Sequence, residues 1–316
     1  MRALLVANPA ATTTTRRVRD VLVRALSGEL ELDVVETTHR GHARQLGAQA
    51  TADGIDVVVT LGGDGTVNET VDGLLGGGAG PHVPTLAVVP GGSTNVFSRA
   101  LGRSRDPVEA TGEILGSLRA GRTRRVSLGT ATALGGDGWS PPRWFVFSAG
   151  MGFDAEVIAA VEAERARGRR STGALYVRSG ARVFLLGRDR RQPAMTLHVP
   201  GEEPVDGLFL CLVSNVSPWS YLGATPLAPS PQASFDTGLD LFAMGRVGPL
   251  RMLHHVRQTM AREPDARGRG VHRWHDVPEA RLTSTRPQGW QLDGEHLGTT
   301  TELRTHVVEA ALRVVA

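Results

Sequence analysis

The chain has 316 residues, enough for two ordinary domains with separate cores, and its 41% hydrophobic content is that of a globular protein. All 35 basic residues are arginine, against 32 acidic ones. The lack of lysine excludes a Walker-type phosphate loop, the strand lysine of protein kinases and Schiff-base chemistry. One cysteine, Cys211, lies in the apolar run 208–213, so no internal disulfide forms and the thiol reads as a buried small hydrophobe.

Residues 3–7 read as a first strand, too short for the hydrophobic region of a signal peptide. No other segment approaches the roughly 20 apolar residues that cross a bilayer, so a cytoplasmic protein with at most peripheral membrane contact is expected. Val18, Val21, Leu22 and Leu26 predict a helix over 15–26, followed by a strand at 32–36 and a helix at 41–52. Residues 57–61 are the clearest buried strand. Val67, Val71, Leu74 and Leu75 mark one face of the next helix, a Gly/Pro loop spans 75–84, a strand spans 85–89, and a helix starts at about Asn95. This alternation predicts a mostly parallel sheet.

Beyond Arg125, short alternating segments at 144–148, 194–199 and 208–214 lie between Gly, Pro and Asp turns and predict an antiparallel β domain. A basic helical stretch from about Asp154 to Arg191 interrupts it, carrying Arg165, Arg167, Arg169, Arg170, Arg178, Arg182, Arg188, Arg190 and Arg191. The expected division is an α/β nucleotide-binding domain over 1–126 and a β domain over 127–306.

The turn Gly62-Gly63-Asp64-Gly65-Thr66-Val67-Asn68 joins a buried strand to a helix, and its glycines let backbone N–H groups approach an anion. A second turn, Pro90-Gly91-Gly92-Ser93-Thr94-Asn95, also follows a strand. In a parallel sheet both emerge at the carboxyl edge, where ligands bind, so the pair predicts a nucleotide site. Asn8, Thr12 and Thr37 add polar groups at that edge. Asp64 reads as a magnesium-nucleotide residue, the competing reading being a solvated turn aspartate. Glu295, after the Asp293-Gly294 turn, would be held at a strand end and suits a general base; a plain hairpin glutamate is the other reading.

The arginine-rich stretch reads either as a solvated helix face or as a surface for anionic lipid headgroups, with Leu175, Val177, Val183, Phe184, Leu185 and Leu186 nearby to dip inward. Nucleic acid is not expected, because no stacking aromatics interleave with these arginines. His39 with His42, and His272 with His275, lack a third metal ligand. The loop 217–231 either lines a lipid pocket or caps a sheet end.

The ordered set of Asn8-Pro9, Thr37 before Gly41-His42-Ala43, Gly62 to Glu69, Pro90 to Arg99, Ser148-Ala149-Gly150-Met151-Gly152-Phe153-Asp154 and Leu292-Asp293-Gly294-Glu295 resembles the diacylglycerol kinase catalytic family, which includes bacterial lipid kinases and, more distantly, sphingosine and ceramide kinases. The resemblance implies a phosphofructokinase- and NAD-kinase-like nucleotide domain followed by an antiparallel β-sandwich lipid domain, with the tail 307–316 returning to the first. It implies ATP with Mg2+ as cofactors. Contacts to ATP would come from Asn8, Thr12, Thr37, Gly62, Gly63, Asp64, Gly65, Thr66, Val67, Asn68, Gly92, Ser93 and Thr94, with Asp64 reaching the metal and Glu295 and Asp64 as catalytic residues.

The implied partners are a lipid substrate, most simply diacylglycerol giving phosphatidic acid, and the anionic inner face of a membrane; a homodimer is compatible with this. Sphingoid bases, an NAD-kinase-like activity and a non-catalytic nucleotide- or lipid-binding role are the alternatives. Two positions depart from the family pattern. Val96 follows Asn95 where many bacterial members have aspartate, and Thr237 replaces an aspartate of a structural magnesium site in Phe235-Asp236-Thr237-Gly238-Leu239-Asp240. A bound structural metal is therefore not expected.

Overall fold

The apolar run near the start forms β1 (Arg2–Ala7), followed by α1 (Arg16–Ser27), β2 (Glu31–Glu36), α2 (His42–Ala52), β3 (Val57–Gly62), α3 (Asp64–Leu74), β4 (Thr85–Pro90), α4 (Val96–Ala100) and α5 (Pro107–Arg119). The structure is a computed structural model that describes residues 1–11, 15–169, 172–187 and 191–316. Contacts divide the chain into two units, 1–128 with 309–316, and 129–308.

In the first unit β1 lies between β2 and β3, and β3 pairs with β4, all in parallel. Ala7 stands opposite both Glu36 and Leu61, and Gly62 opposite Pro90, so the four strands end at one level and deliver their loops to one edge. One face of the sheet packs Leu5, Val59, Leu61 and Val89 against Leu22 and Leu26 of α1 and Ile114 and Leu115 of α5. Each such burial contributes about 1.5–3 kcal/mol. The Asp106 side chain caps α5 by accepting the N–H groups of Val108 and Glu109 at 2.8 and 3.0 Å, with Pro107 in the first turn. Helices α2 and α3 meet backbone to backbone, since a Cβ on Gly73 would lie 2.0 Å from the Arg44 carbonyl oxygen and one on Gly47 2.5 Å from that of Thr70. The last residues of the chain join this unit: Val314 pairs in parallel with Leu86.

The second unit continues through β5 (Thr123–Gly135), β6 (Gly138–Trp139), β7 (Arg143–Phe145), β8 (Ser148–Gly152), α6 (Phe153–Ala166), α7 (Gly173–Leu186), β9 (Met195–His198), β10 (Val205–Ser214), β11 (Ser220–Leu222), β12 (Thr225–Leu227), β13 (Leu239–Gly245), α8 (Pro249–Thr259), β14 (Val271–Val277), β15 (Glu279–Leu292) and β16 (Glu295–Val315). Its antiparallel order is β14-β13-β10-β8-β15-β16. Between the long strands β10 and β15, β8 fills one end and β9 the other. Alternation along β10 and β13 separates two cores. Leu208, Cys211, Val213, Leu239 and Leu241 join Met151 and Trp290 on one face, while Phe209, Leu212, Phe242 and Met244 join Phe184 of α7 and Met252 of α8 on the other.

Four local expectations change. The basic stretch is two helices, α6 and α7, and Arg170, Arg188 and Arg190 lie outside the described residues. The helix from Asn95 stops at α4, where Gly102 turns the chain with φ +79° before α5. Residues 144–148 form parts of two strands, because the amides of Val146, Phe147 and Ser148 are taken by the Asp293 carboxylate instead of a neighbouring strand. Finally, the β domain contains a further helix, α8, which β alternation alone does not foresee.

Candidate functional site

The two glycine turns of the first unit are built against each other. Gly91 N–H donates to the Gly62 carbonyl at 2.8 Å, extending the β3–β4 ladder into the loops. A Cβ on Gly91 would sit 3.0 Å from the Gly62 backbone, and one on Gly92 2.6 Å from Gly63 Cα. Side chains are therefore excluded at the contact, which leaves loop main chain at the mouth of the sheet edge.

Polar side chains stitch these loops. Asn8 Nδ2 donates to Thr66 Oγ1 at 3.0 Å, while its Oδ1 accepts Ala10 N–H at 2.9 Å, so the end of β1 is tied to the first turn of α3. Asn95, at φ +50°, accepts Gly92 N–H at 2.9 Å and donates back to the Gly92 carbonyl at 2.6 Å, closing the turn that holds exposed Ser93 and half-buried Thr94. Thr37 N–H bonds the Ala7 carbonyl at 2.8 Å, placing Thr37 at the same edge. Val67 and Asn68 are buried in α3, whereas Gly65 is exposed at its start. Val67 thus packs the helix, and Thr12 lies outside the described residues.

Asp64 has a structural task that sequence reasoning missed. Its Oδ1 accepts the Phe97 N–H at 3.3 Å, and the amides of Asn95 and Val96 bond it as well, so the first residue of α3 caps α4 across the two loops. Burial pushes its carboxyl up to about 6, and those amides and Arg99 work against the rise. The backbone N–H of Val96 serves this bond whatever its side chain. Among the described residues no group of three or more His, Cys, Asp or Glu is arranged to hold a metal ion by protein ligands alone. A magnesium ion carried on nucleotide phosphates asks for only one or two carboxylates, which Asp64 fits.

In the second unit the Asp293-Gly294 turn presents Glu295 at the start of β16. Asp293, at φ +47°, accepts the N–H groups of Val146, Phe147 and Ser148 at 2.7, 2.9 and 2.9 Å, and its own N–H bonds the Ser148 carbonyl at 2.8 Å. Gln291 Oε1 accepts Gly294 N–H at 2.9 Å and its Nε2 donates to Asp154 Oδ2 at 2.8 Å. On the far side, Glu162 of α6 accepts His296 N–H at 3.3 Å. The turn is thus held from β8, β15 and α6, and Glu295 is half-buried on a rigid support. Asp154 and Asp293 were legible only as parts of motifs, with no local signal for these bonds.

The remaining candidates have other partners. His39 and His42 stack with ring centroids 5.0 Å apart around Thr38. At 235–240, Asp240 is buried, with its carboxyl raised by burial and lowered by His275, whose Nδ1 lies 2.8 Å away. Asp276 Oδ1 accepts Gly238 N–H at 2.6 Å, and Thr237 Oγ1 donates to the Ser234 carbonyl at 3.1 Å. His275 and the Asp276 N–H therefore occupy the Asp240 carboxylate, and the Gly238 N–H occupies that of Asp276. The loop 217–231 contains the β11–β12 hairpin, and Trp219 packs onto the core.

Residues 2–131 match the sequence model of the family described as the diacylglycerol kinase catalytic domain. The matched segment, which contains both glycine turns, is thus similar to that catalytic domain. The diacylglycerol kinase of Bacillus subtilis (strain 168) is 34% identical over 109 residues, covering 34% of this chain and 35% of that protein. That of Staphylococcus saprophyticus is 31% identical over 130 residues, covering 40% of each. The matches thus span well under half the length of these curated relatives. Over the full fold, the chain is similar to a diacylglycerol kinase structure from Bacillus anthracis str. Sterne, with TM-score 0.69, 18% identity and 99% and 96% of the two chains covered. It is also similar to an NAD kinase from Archaeoglobus fulgidus in complex with ATP, with TM-score 0.53, 14% identity and 100% and 94% covered. The structural likenesses establish an α/β N-terminal region and a β-rich C-terminal one, shared with diacylglycerol and NAD kinases.

Proposed function

We propose that the chain is an ATP-dependent lipid kinase that transfers the γ-phosphoryl group of ATP to a lipid hydroxyl, with diacylglycerol as acceptor and phosphatidic acid as product. The observation that carries this reading is the packing of Gly62-Gly63 on Gly91-Gly92, backbone against backbone, within the segment that matches the diacylglycerol kinase catalytic family. Loop N–H groups and the N-terminus of α3 would hold the phosphates, with Thr37, Ser93 and Thr94 as side-chain donors. Magnesium bound with ATP would neutralise phosphate charge, with Asp64 as the neighbouring carboxylate.

Glu295 would orient the acceptor hydroxyl and take its proton as the new O–P bond forms and the bond to the ADP oxygen breaks. The β-rich unit is read as a sandwich that receives the lipid. A valine at 96 leaves the second loop without the carboxylate that many bacterial members carry there, so a sphingoid base or another lipid alcohol stands as the alternative acceptor. The enzyme would work peripherally, at the anionic inner face of a membrane.

The test is transfer of radiolabelled γ-phosphate from ATP to diacylglycerol, sphingosine, ceramide and monoacylglycerol in mixed micelles, with NAD as a soluble control. Labelled lipid that disappears in Glu295→Gln, with ATP binding retained, is the expected result. Label on NAD alone would replace the lipid reading with the activity named for the A. fulgidus structure, and label on nothing would leave a binding protein.

A further inference from the structure

Helix α8 has one committed face and one exposed face. Met252 packs against the core that contains Phe209 and Phe242, and His255 and Thr259 are buried, with His255 Nδ1 2.9 Å from Gln258 Oε1. At 100° per residue these three share one side of the helix. Leu250 and Leu253 lie away from it and are 85% and 59% exposed, and Val256 at the margin is 36% exposed. A single exposed leucine is ordinary, but two on one turn of a well-anchored helix form a surface.

The charge around that surface is predominantly positive. Between 246 and 270 the chain carries Arg246, Arg251, Arg257, Arg262, Arg267 and Arg269 against Glu263 and Asp265, and Asp265 is already engaged by Arg267 and Arg273 at 3.0 and 2.7 Å. Arg251 and Arg257 flank the two leucines on the exposed side. Helix α7 repeats the pattern. Phe184 anchors it in the same core, on the same face of the sheet, while Val177, Leu185 and Leu186 are exposed beside Arg178 and Arg182. By contrast, Arg167 and Arg169 of the basic stretch are paired with Glu164.

We propose that α8, with α7 anchored in the same core, is an interfacial element that lays Leu250 and Leu253 into an anionic lipid surface while its arginines meet the headgroups. An apolar ridge with a basic rim suits such a surface. A second copy of the chain is a poor occupant, since a two-fold contact would set arginine against arginine. The inference rests on the lipid-kinase reading for its purpose, but not for its test.

The experiment is co-sedimentation of the full chain with vesicles of phosphatidylcholine, alone or mixed with phosphatidylserine, neither of which offers an acceptor hydroxyl. Binding to the anionic vesicles, weakening as salt rises, is expected. Leu250→Asp/Leu253→Asp should lower it about tenfold or more through lost apolar insertion. Arg251→Gln/Arg257→Gln should lower it roughly 10- to 30-fold, as for two headgroup contacts. All four positions are exposed, so unchanged thermal denaturation will show that the fold is retained. Equal binding to neutral vesicles, or binding indifferent to both double variants, overturns the proposal. So does a dimer that the leucine variant dissociates without a change in vesicle binding. Transfer to micelle-dispersed acceptor should survive the leucine substitutions; if wild type shows no transfer while vesicle binding behaves as described, the kinase reading fails and the docking surface stands.

Discussion

Asp154, in the first turn of α6, and Gln291, near the end of β15, are joined by a 2.8 Å hydrogen bond from the carboxamide nitrogen to the carboxylate, across 137 residues of sequence. Both are buried. Gly150 leaves the space they need, because a Cβ there would lie 2.7 Å from Asp154 Oδ2 and 2.9 Å from Gln291 Nε2. The glycine-rich motif of β8 and the Asp-Gly-Glu turn are therefore parts of one construction.

Burial pushes the Asp154 carboxyl up to about 7, against the opposing hydrogen bond from Gln291. An unfolded aspartate titrates near ~3.9, so from about pH 4 to 7 the folded chain holds a proton that the unfolded chain has released. Stability should fall as pH rises through that window and level off above about 7, by at most about 4 kcal/mol from this group. Asp154→Asn retains an acceptor for Gln291 and should flatten the slope, gaining stability at pH 8 and little below pH 4. Urea denaturation at several pH values measures this, and an unchanged slope would sink the assignment.

Asp293→Ala removes the acceptor for three buried amides at once. Leaving such groups unsatisfied costs about 1–3 kcal/mol each, so a loss of roughly 3 kcal/mol or more is expected in chemical denaturation. Asp293→Asn tolerates the left-handed backbone and keeps one oxygen, and should lose less. A cost below about 1 kcal/mol for the alanine variant would show that the turn is held elsewhere.

Asp64→Ala should do two separable things. Exposing the amides of α4 costs about 1–2 kcal/mol of stability, as for a lost cap, and the two glycine loops lose their side-chain cross-link, keeping the Gly91–Gly62 main-chain bond. ATP affinity, read by titration calorimetry, should fall in Asp64→Ala even under conditions where the variant remains folded. Retained affinity would restrict Asp64 to its capping task.

Gly73→Ala places a Cβ 2.0 Å from the Arg44 carbonyl oxygen and should force α2 and α3 apart, costing about 1–3 kcal/mol or more. Gly112, exposed in the middle of α5, has nothing within 4 Å of its missing Cβ. Gly112→Ala should stabilise by about 0.5–1 kcal/mol through helix propensity. Thermal denaturation of the pair provides opposite signs from one chemical change.

Much of the architecture was legible along the chain. Val57 to Leu61 is short and rich in β-branched residues, with Thr60 its one polar member, and reads as a buried strand, and the glycine turns after β3 and β4 announce themselves because turn chemistry is local. The same holds for Thr37 and Asn8, whose position at the strand edge follows from strand order alone. Less was legible in the second unit. Met252 and Leu253 are neighbours with similar hydrophobicity, yet one enters the core and the other meets solvent, and periodicity names two faces without saying which is covered.

By itself the sequence determined the alternating strands and helices of the first unit, the two glycine loops at one sheet edge and the presence of an Asp-Gly-Glu turn, since each depends on residues a few positions apart. Tertiary structure alone decided that Asp64 would cap a helix beginning 32 residues later in numbering, at Val96, that Asp293 would hold the amides of Val146 to Ser148, and that Gly73 would touch Arg44. The physical reason is that a hydrogen-bond acceptor or a missing side chain carries no mark of its distant partner; burial makes the partner obligatory, and only the packed chain selects it.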